Sequence, residues 1–168
     1  VEDEPFDVRY GELRSHERVL DFRAGVLHRT VEWVSPTRTA VRVRSTRLVS
    51  FTQRAIAAIL YEVEPIERTI PVVVQSQLVA NEAAGLTQVD PRAAAALAAP
   101  LRSEFFGARD TRVILTHSTN VSGLRVAAAM DHAIDGPPGT EAQGEAFEDL
   151  GRVLISADGG FEPQNVHK

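Results

Sequence analysis

The acidic side chains are one group of residues in this sequence that could take part in catalysis. Asp131 and Asp135 lie close together, and Glu145, Glu148 and Asp149 follow in one short run. Two carboxyl groups that face each other across a substrate can act as general acid and general base. A turn begins between Asp131 and Asp135, however, and no pattern places them in a cleft. We interpret the later run as a solvated strand edge and predict no catalytic residue among these five.

The other side chains that could do chemistry are scattered. The sequence has five histidines, which are His16, His28, His117, His132 and His167. None has the spacing of a metal site on one helix face. We expect His117 to be a structural histidine at a strand end, and Gly159-Gly160 to be a turn rather than a phosphate-binding loop. There is no nucleophile elbow, so we predict no catalytic, cofactor-binding or metal-ligating residue and no cofactor.

A run of arginines without an intervening acidic residue allows two interpretations. The run contains Arg38, Arg42, Arg44, Arg47 and Arg54. It could form a basic patch that attracts phosphate. Alternatively, Glu62 and Glu64 of the next run could lie across from Arg42 and Arg44, and such cross-strand ion pairs contribute roughly 0.2–1 kcal/mol each. We favour the ion pairs.

Asp21 and Arg23, on either side of Phe22, also allow two interpretations. They could contact a carbohydrate, or they could form an ion pair or anchor a turn at a strand end. We favour the ion pair or turn anchor, because such pairs are usually structural.

The elements that must position these residues follow the period-two alternation of half-buried strands. The stretch from Leu20 to Pro65 contains three such runs, 26–34, 40–50 and 56–63, separated by turn residues. They predict an antiparallel meander with one apolar and one charged face. Trp33 shares its parity with Leu27 and Val31, so we predict that it lies in the core between two sheets.

Further strands are predicted over 70–78, 111–120, 125–134 and 152–157. The run 125–134 is apolar on both faces, which favours a central strand. Residues 1–18 are predicted to form a loosely attached strand or loop. Alternation stops from Val79 to Asp110, where we predict only a short helix from Pro91 to Ala99. A segment of this length is either functional or decoration.

Composition sets the class of the protein. The chain has 168 residues, 43% hydrophobic and 24% charged, which is typical of a soluble globular domain. A net charge of −5 argues against a nucleic-acid partner. No apolar run is long enough to span a membrane. The absence of cysteine fits a cytoplasmic protein. The chain starts at Val1 without a methionine, so we expect a fragment.

Three separated runs share the order and spacing of a known domain. They are Asp21-Phe22-Arg23-x-Gly25-x-Leu27-x-Arg29, Arg44-Ser45-x-Arg47 and Gln77-x-Val79-Ala80-Asn81-Glu82. These runs resemble the amino-terminal domain of glycoside hydrolase family 65, which holds maltose, kojibiose and trehalose phosphorylases and some trehalose hydrolases. The resemblance continues through Gly123-Leu124-Arg125 and covers most of the chain.

The resemblance implies both a fold and a parent enzyme. Family members open with a large β-sandwich and continue into an (α/α)₆ barrel that carries the catalytic residues. We therefore expect residues 1–168 to form a single all-β domain, an antiparallel super-β-sandwich with one short helix, truncated at both ends. The barrel is absent from this chain, so the chain alone should be inactive. Inorganic phosphate would be a co-substrate of the parent if the parent is a phosphorylase.

Two hypotheses of different class follow. In the first, the chain is an accessory domain of an enzyme that acts on α-linked glucose disaccharides such as trehalose or maltose. It would pack on its own catalytic barrel, shape the active-site rim and belong to a homodimer. In the second, it is an independent carbohydrate-binding or interaction module, which needs an exposed aromatic platform. Aromatic residues are only 6% of the chain, and the single Trp is predicted in the core, which favours the first.

Overall fold

A computed structural model describes residues 5–82 and 99–161 of the chain, with side chains given up to Ala157. All regular elements in these ranges are β-strands. Their bounds are β1 Glu12–Asp21, β2 Val26–Val34, β3 Ala40–Val49, β4 Ala57–Pro65, β5 Ile70–Val79, β6 Leu101–Arg109, β7 Arg112–Thr119, β8 Arg125–Met130, β9 Thr140–Ala146 and β10 Leu150–Phe161. The all-β, antiparallel class expected from the sequence is confirmed. The predicted helix at 91–99 lies almost entirely outside the described residues.

The strands form three sheets within two compact units. The first unit comprises Val1–Val72, Pro137–Gly139 and Ala157–Lys168, and the second comprises Val73–Gly136 and Thr140–Ser156. The sheet orders are β1-β2-β3-β4, β5-β10-β9 and β6-β7-β8.

The first unit is built on the predicted meander, with β1 added at its edge. β2, β3 and β4 pair antiparallel in sequence order, as expected from their alternation. The turn between β2 and β3 forms because the Ser35 hydroxyl accepts a hydrogen bond from the Thr39 amide at 3.0 Å. Arg38 takes the left-handed backbone region in this turn, with φ of 66°.

The core of the first unit lies under the half of the meander next to this turn. Trp33 is fully buried, as predicted, together with Val31, Val41 and Val43. Cross-strand pairing sets Val31 opposite Val43 and Trp33 opposite Val41. The four side chains therefore share one face of the sheet.

The second unit is a β-sandwich in which β9 and β10 pack on the sheet of β6, β7 and β8. Gly151 of β10 faces Val113 of β7 so closely that a Cβ at Gly151 would overlap the valine side chain. Gly144 of β9 lies in similar contact with the carbonyl of Asp110. Val113, Leu115 and Val153 are buried between the layers.

Several predicted elements need correction. β8 ends at Met130 and is the edge of its sheet, with a largely exposed face, rather than a central strand. Its alanines and valine resemble a buried strand in sequence, but no further strand pairs with it in the described structure. β6 and β9 were not predicted. Gly159 and Gly160 lie within β10 and do not form a turn. β1 is a strand of ten residues with a register shift between Leu13 and Ser15, so the strand alternative for residues 1–18 holds from Glu12 onward. Within residues 5–82 and 99–161, no helix is long and apolar enough to cross a membrane.

Candidate functional site

Asn81, just after β5 in the second unit, holds together two segments distant in sequence. Its backbone is left-handed, with φ of 52°, a conformation that asparagine tolerates better than most residues. Its side-chain amide donates to the Leu101 carbonyl at 2.8 Å, and its side-chain oxygen accepts from the Leu101 amide at 3.0 Å. The side chain thus replaces a strand partner for the first residue of β6.

Asn81 also joins a pair formed by the buried His117 and the partly exposed Asp149. The Asn81 side-chain nitrogen donates to Asp149 Oδ1 at 3.2 Å, and His117 Nε2 lies 3.0 Å from the same oxygen. His117 is only 3% exposed. The Asp149 carbonyl accepts from the Ala80 amide at 2.8 Å. We call Asn81, His117 and Asp149 the polar cluster.

Among the described residues, no hydroxyl forms the hydrogen bond with His117 that would complete a catalytic triad, although Ser103 lies directly opposite it on β6. A histidine oriented by a carboxylate activates a hydroxyl on its other side. The nearest serine in sequence, Ser118, points to the opposite face of β7 because successive strand residues alternate. Its hydroxyl accepts from Arg102 at 3.3 Å. The bonding of His117 is that of a structural histidine.

A cavity of about 150 Å³ adjoins the polar cluster. It is lined by Leu78, Val79, Ala80, Leu101, Leu115, His117, Val126 and Ala128. These walls are apolar apart from the imidazole, so the cavity offers little hydrogen bonding to a sugar. A sugar hydroxyl left without a partner there would cost free energy on binding.

Asp131, the first of the candidate carboxylates, is paired rather than free. Arg112 Nε lies 2.9 Å from Asp131 Oδ2. Partial desolvation acts to raise the pKa of Asp131, but hydrogen bonds from Arg112 and from the His132 amide outweigh it and bring the pKa below its ordinary value. A carboxyl group with a lowered pKa is a poor general acid near neutral pH.

Asp131 lies at the rim of a shallow groove of about 510 Å³ on the outer face of β6, β7 and β8. At Gly107 the Phe105 ring lies so close that a Cβ would be 3.2 Å from its nearest atom. Ile114 and Ala129 line the groove as well. Its surface is mostly apolar, Arg109, Arg112 and Asp131 are its charged lining residues, and no second carboxylate lies among them.

The remaining candidate carboxylates are not brought together. Glu145 is bound to Arg152 within the β9–β10 hairpin, whereas Asp135 and Glu148 are exposed. No group of three or more His, Asp or Glu side chains suited to a metal ion occurs in the part of the chain that the structure describes.

The arginine run does not form one patch. Arg42 donates to Glu32 at 2.6 Å and to Glu64 at 3.0 Å, and Arg44 lies 3.0 Å from Glu64. Cross-strand pairing with the β4 glutamates is therefore confirmed. Arg44 pairs with Glu64 rather than with Glu62 directly opposite. The hydrogen bond to Glu32 is the first cause that raises the pKa of Arg42. Arg47 has the other parity and lies on the opposite face of β3.

Asp21 anchors the β1–β2 turn, which is one of the two structural roles favoured from the sequence. Its Oδ1 accepts from the Arg23 amide at 2.8 Å and from the Ala24 amide at 2.9 Å. Gly25 completes the turn with φ of 68°. Phe22, at the tip, is 88% exposed.

Sequence reasoning missed the polar cluster and the role of Glu32. An asparagine directly after a strand and before a break in alternation signals a left-handed stop. That signal could have identified Asn81, but not its partners, because Leu101, His117 and Asp149 are remote in sequence. Glu32 precedes Trp33 on β2, so the alternation of the strand already placed it on the polar face. The pairing of β2 with β3 sets it opposite Arg42.

Comparison with known proteins gives a consistent result. Residues 1–159 match the model of the glycosyl hydrolase family 65 N-terminal domain. The chain is 48% identical over 155 residues to an uncharacterized glycosyl hydrolase of Mycobacterium tuberculosis, which covers 92% of this chain and 20% of the relative. A glycosyl hydrolase of Mycobacterium leprae, also uncharacterized, is 47% identical over the same length.

Two further matches are more distant. Over 69 residues, which are 41% of this chain and 9% of the relative, the chain is 38% identical to an α,α-trehalose phosphorylase of Thermoanaerobacter brockii. A human-microbiome protein named as a candidate kojibiose phosphorylase shares the fold with a TM-score of 0.74 at 15% identity, covering 98% of this chain and 19% of that one.

The chain thus spans about a fifth of the length of the mycobacterial relatives it matches. The family model covers nearly all of its sequence, and the expected antiparallel β-sandwich is present. The chain belongs to glycosyl hydrolase family 65, as the N-terminal domain of such a protein.

Proposed function

We propose that this chain is a non-catalytic accessory domain of an enzyme that acts on an α-linked glucose disaccharide of the trehalose or maltose type. It packs on the catalytic barrel of the same polypeptide and shapes the rim of the active site. The disaccharide class rests on the resemblance and on the names of the two distant relatives. Cytoplasmic location, a homodimeric parent and phosphate as co-substrate remain predictions.

One observation carries the non-catalytic part of the proposal. Among the described residues, Asp131 is paired with Arg112 and Glu145 with Arg152, and Asp149 is bound within the polar cluster. Glycoside cleavage needs two carboxyl groups that face each other across a sugar, or one acid and a phosphate nucleophile. No such pair lies in either cavity described above.

The test compares three purified proteins: this chain, the full parent enzyme and the parent without this domain. Each is assayed on trehalose, maltose and kojibiose, with and without phosphate. We expect no glucose release by this chain, activity in the parent, and a large loss on deletion because an apolar flank of the barrel becomes exposed. Glucose release by this chain above a buffer control would overturn the proposal and return Asp131, Asp135 and Glu145 as candidates.

A second function is favoured by one specific observation. Phe22 and Phe51 are 88% and 87% exposed, and the Phe51 ring lies against the Gly25 turn. Exposed rings can stack on sugars, so an independent carbohydrate-binding module is the alternative. Titration calorimetry of the isolated chain with the same disaccharides tests it. Binding that F22A/F51A abolishes would favour this alternative, and no detectable heat for the unaltered chain would reject it.

A further inference from the structure

The four-stranded sheet of the first unit is covered over only half of the face that carries Trp33. The Phe6 ring meets the Trp33 ring edge-on, with centroids 5.4 Å apart, and Tyr10 accepts the indole hydrogen bond. Toward the β1–β2 turn, the same face exposes Leu20, Ile59 and Tyr61, which are 52%, 64% and 42% exposed.

Three arginines lie among these exposed apolar side chains. Arg18 pairs directly with Arg29 across β1 and β2, and Arg47 pairs with Leu27 on the next strand. All three share the face of Trp33, since cross-strand partners point to the same side of a sheet. We call the surface formed by Arg18, Leu20, Arg29, Arg47, Ile59 and Tyr61 the arginine face.

The charges of the arginine face are not balanced within the described structure. Arg42, on the other face, binds two glutamates. No described carboxylate forms an ion pair with Arg18, Arg29 or Arg47. Like charges placed directly opposite on a sheet repel each other. A chain of net charge −5 thus concentrates unpaired positive charge on one surface.

Neighbouring groups respond to this excess charge. Arg29 Nε donates to His16 Nε2 at 3.2 Å, and its guanidinium lies 6.0 Å from the centre of the Phe6 ring. Burial, followed by the charge of Arg18, lowers the pKa of Arg29. Desolvation and the charges of Arg29 and Arg18 lower the pKa of His16. The lowered pKa values of Arg29 and His16 are those expected where positive charges have no negatively charged partner.

We propose that the arginine face docks on the remaining polypeptide of the parent enzyme, at a surface that presents carboxylates among apolar side chains. This inference rests on the proposed function, since it names the surface through which the domain would pack. The size of the missing partner supports it, because the chain spans about a fifth of its mycobacterial relatives. So does the chemistry, because arginine binds carboxylates through two parallel hydrogen bonds in desolvated sites.

The division of roles within the interface follows from physical chemistry. Burial of Leu20, Ile59 and Tyr61 supplies affinity through loss of apolar surface from water. The guanidinium groups fix orientation and exclude partners that lack negative charge. Arginine and tyrosine are both enriched at protein interfaces.

Labelling of the native full-length parent with phenylglyoxal, which modifies accessible arginines, tests the proposal. Peptide mass spectrometry compares Arg18 and Arg47 with Arg38, which lies in the turn at the other end of the sheet. We expect Arg18 and Arg47 to react about tenfold more slowly than Arg38. A ratio of this size corresponds to an interface that is open in about a tenth of the molecules at any time. Equal rates at the three sites would overturn the proposal.

Variants of the full-length parent supply a second readout. R18E/R47E should restore labelling of Arg29 and lower the midpoint of thermal unfolding, whereas the matched control R38E/R54E should change neither. If R18E/R47E fails to fold, R18Q/R47Q removes the charge with less disturbance and should still expose Arg29. Continued protection of Arg29 in a folded R18Q/R47Q protein would contradict the proposal.

Other occupants give distinguishable results. If the arginines lose their protection from phenylglyoxal on dilution to monomers, the arginine face binds a second copy of the protein. If protection requires added phosphate, the arginine face is an anion site. Either result would overturn the proposal. Disaccharide assays on the same samples keep the two proposals separate. Protected arginines in an inactive parent would reject the proposed function alone, and unprotected arginines in an active parent would reject the docking surface alone.

Discussion

Single side chains in the first unit are fixed by contacts from several segments at once. Trp33 is fully buried, donates a 2.6 Å hydrogen bond to the Tyr10 carbonyl and meets Phe6 edge-on. The segment before β1 is therefore attached by an aromatic contact and a hydrogen bond, although its own residues are mostly exposed. Trp33 thus ties that segment to the meander.

Truncation of Trp33 should be among the most damaging single changes. We expect W33A to lower the free energy of unfolding by roughly 3–5 kcal/mol, because it leaves a large cavity. W33F keeps most of the apolar volume and removes the indole donor, so it should cost clearly less. Urea denaturation followed by circular dichroism measures both. A loss below about 1 kcal/mol for W33A would contradict the assigned packing.

The pairing of Arg42 with Glu64 should give measurable coupling. A double-mutant cycle with R42A and E64A is expected to yield roughly 0.2–1 kcal/mol at low salt. The value should fall as salt rises, since both groups are partly exposed and therefore screened. The matching cycle for Arg44 and Glu62 should yield less, because Arg44 contacts Glu64 instead. Zero coupling for all combinations would show that these ion pairs do not stabilise the sheet.

Strand ends and turns in this protein depend on residues that take left-handed backbone conformations. Asn81 and Gly11 stand at such positions, directly beside β5 and β1. In each case the conformation brings another segment into close contact, Leu101 in the first and Trp33 in the second. These positions determine where the elements begin and end.

Replacement of Asn81 separates its backbone role from its side-chain role. N81G keeps the left-handed conformation but removes the hydrogen bonds to Leu101 and Asp149. We expect a loss of roughly 1–3 kcal/mol in unfolding free energy, since partly buried groups lose their hydrogen-bond partners. N81A should cost more, because alanine also disfavours a positive φ. If N81G is as stable as the original chain, the hydrogen bonds of the Asn81 side chain do not stabilise the fold.

Gly11 and Gly123 offer a matched comparison, since their φ values are 79° and 65°. A Cβ at Gly11 would overlap the Val34 carbonyl and lie 2.9 Å from Trp33 Nε1, whereas Gly123 has open space. G123A should cost about 1–2 kcal/mol from backbone strain, and G11A should cost more. Thermal unfolding of both variants checks this order, which equal midpoints would refute.

At the scale of the whole molecule, the second unit holds both ends of the sequence between β5 and β6, in which the alternation typical of strands is absent. Asn81 binds Leu101 at these ends, and Asn120 donates to the Ala99 carbonyl at 2.7 Å. Loops on rigid frames commonly carry function. We predict that the segment within 79–110 is the part of the domain nearest the catalytic barrel.

Shortening that segment in the parent enzyme tests its role. The deletion should fall within 84–97, so that Asn81 and Leu101 keep their hydrogen bonds. We expect kcat/KM on the disaccharide to fall while the thermal midpoint of the domain stays nearly unchanged, because the hydrogen bonds between Asn81 and Leu101 remain. Unchanged kinetics in an intact protein would mean that the segment is decoration.

The sequence by itself determined the strands with strong alternation and the faces they bury. β2, β3, β4, β5 and β7 were predicted close to their observed bounds, and Trp33 was placed in the core. Alternation is a local property, because one residue in two must leave water whatever the partner strand is. The ion pairs of Arg42 and Arg44 with Glu64 were also accessible, since neighbouring strands of a meander must pair.

Only the tertiary structure decided which strands lie at edges and which distant polar groups meet. β8 looks central in sequence but is an edge, and β9 carries too few apolar residues to signal a strand at all. The bonds of Asn81 with Leu101 and of Asp149 with His117 join segments far apart along the chain. No local pattern specifies such contacts, because they arise from the packing of one sheet on another. The arginine face depends on register for the same reason, since pairing of β1 with β2 and of β2 with β3 brings its charges together.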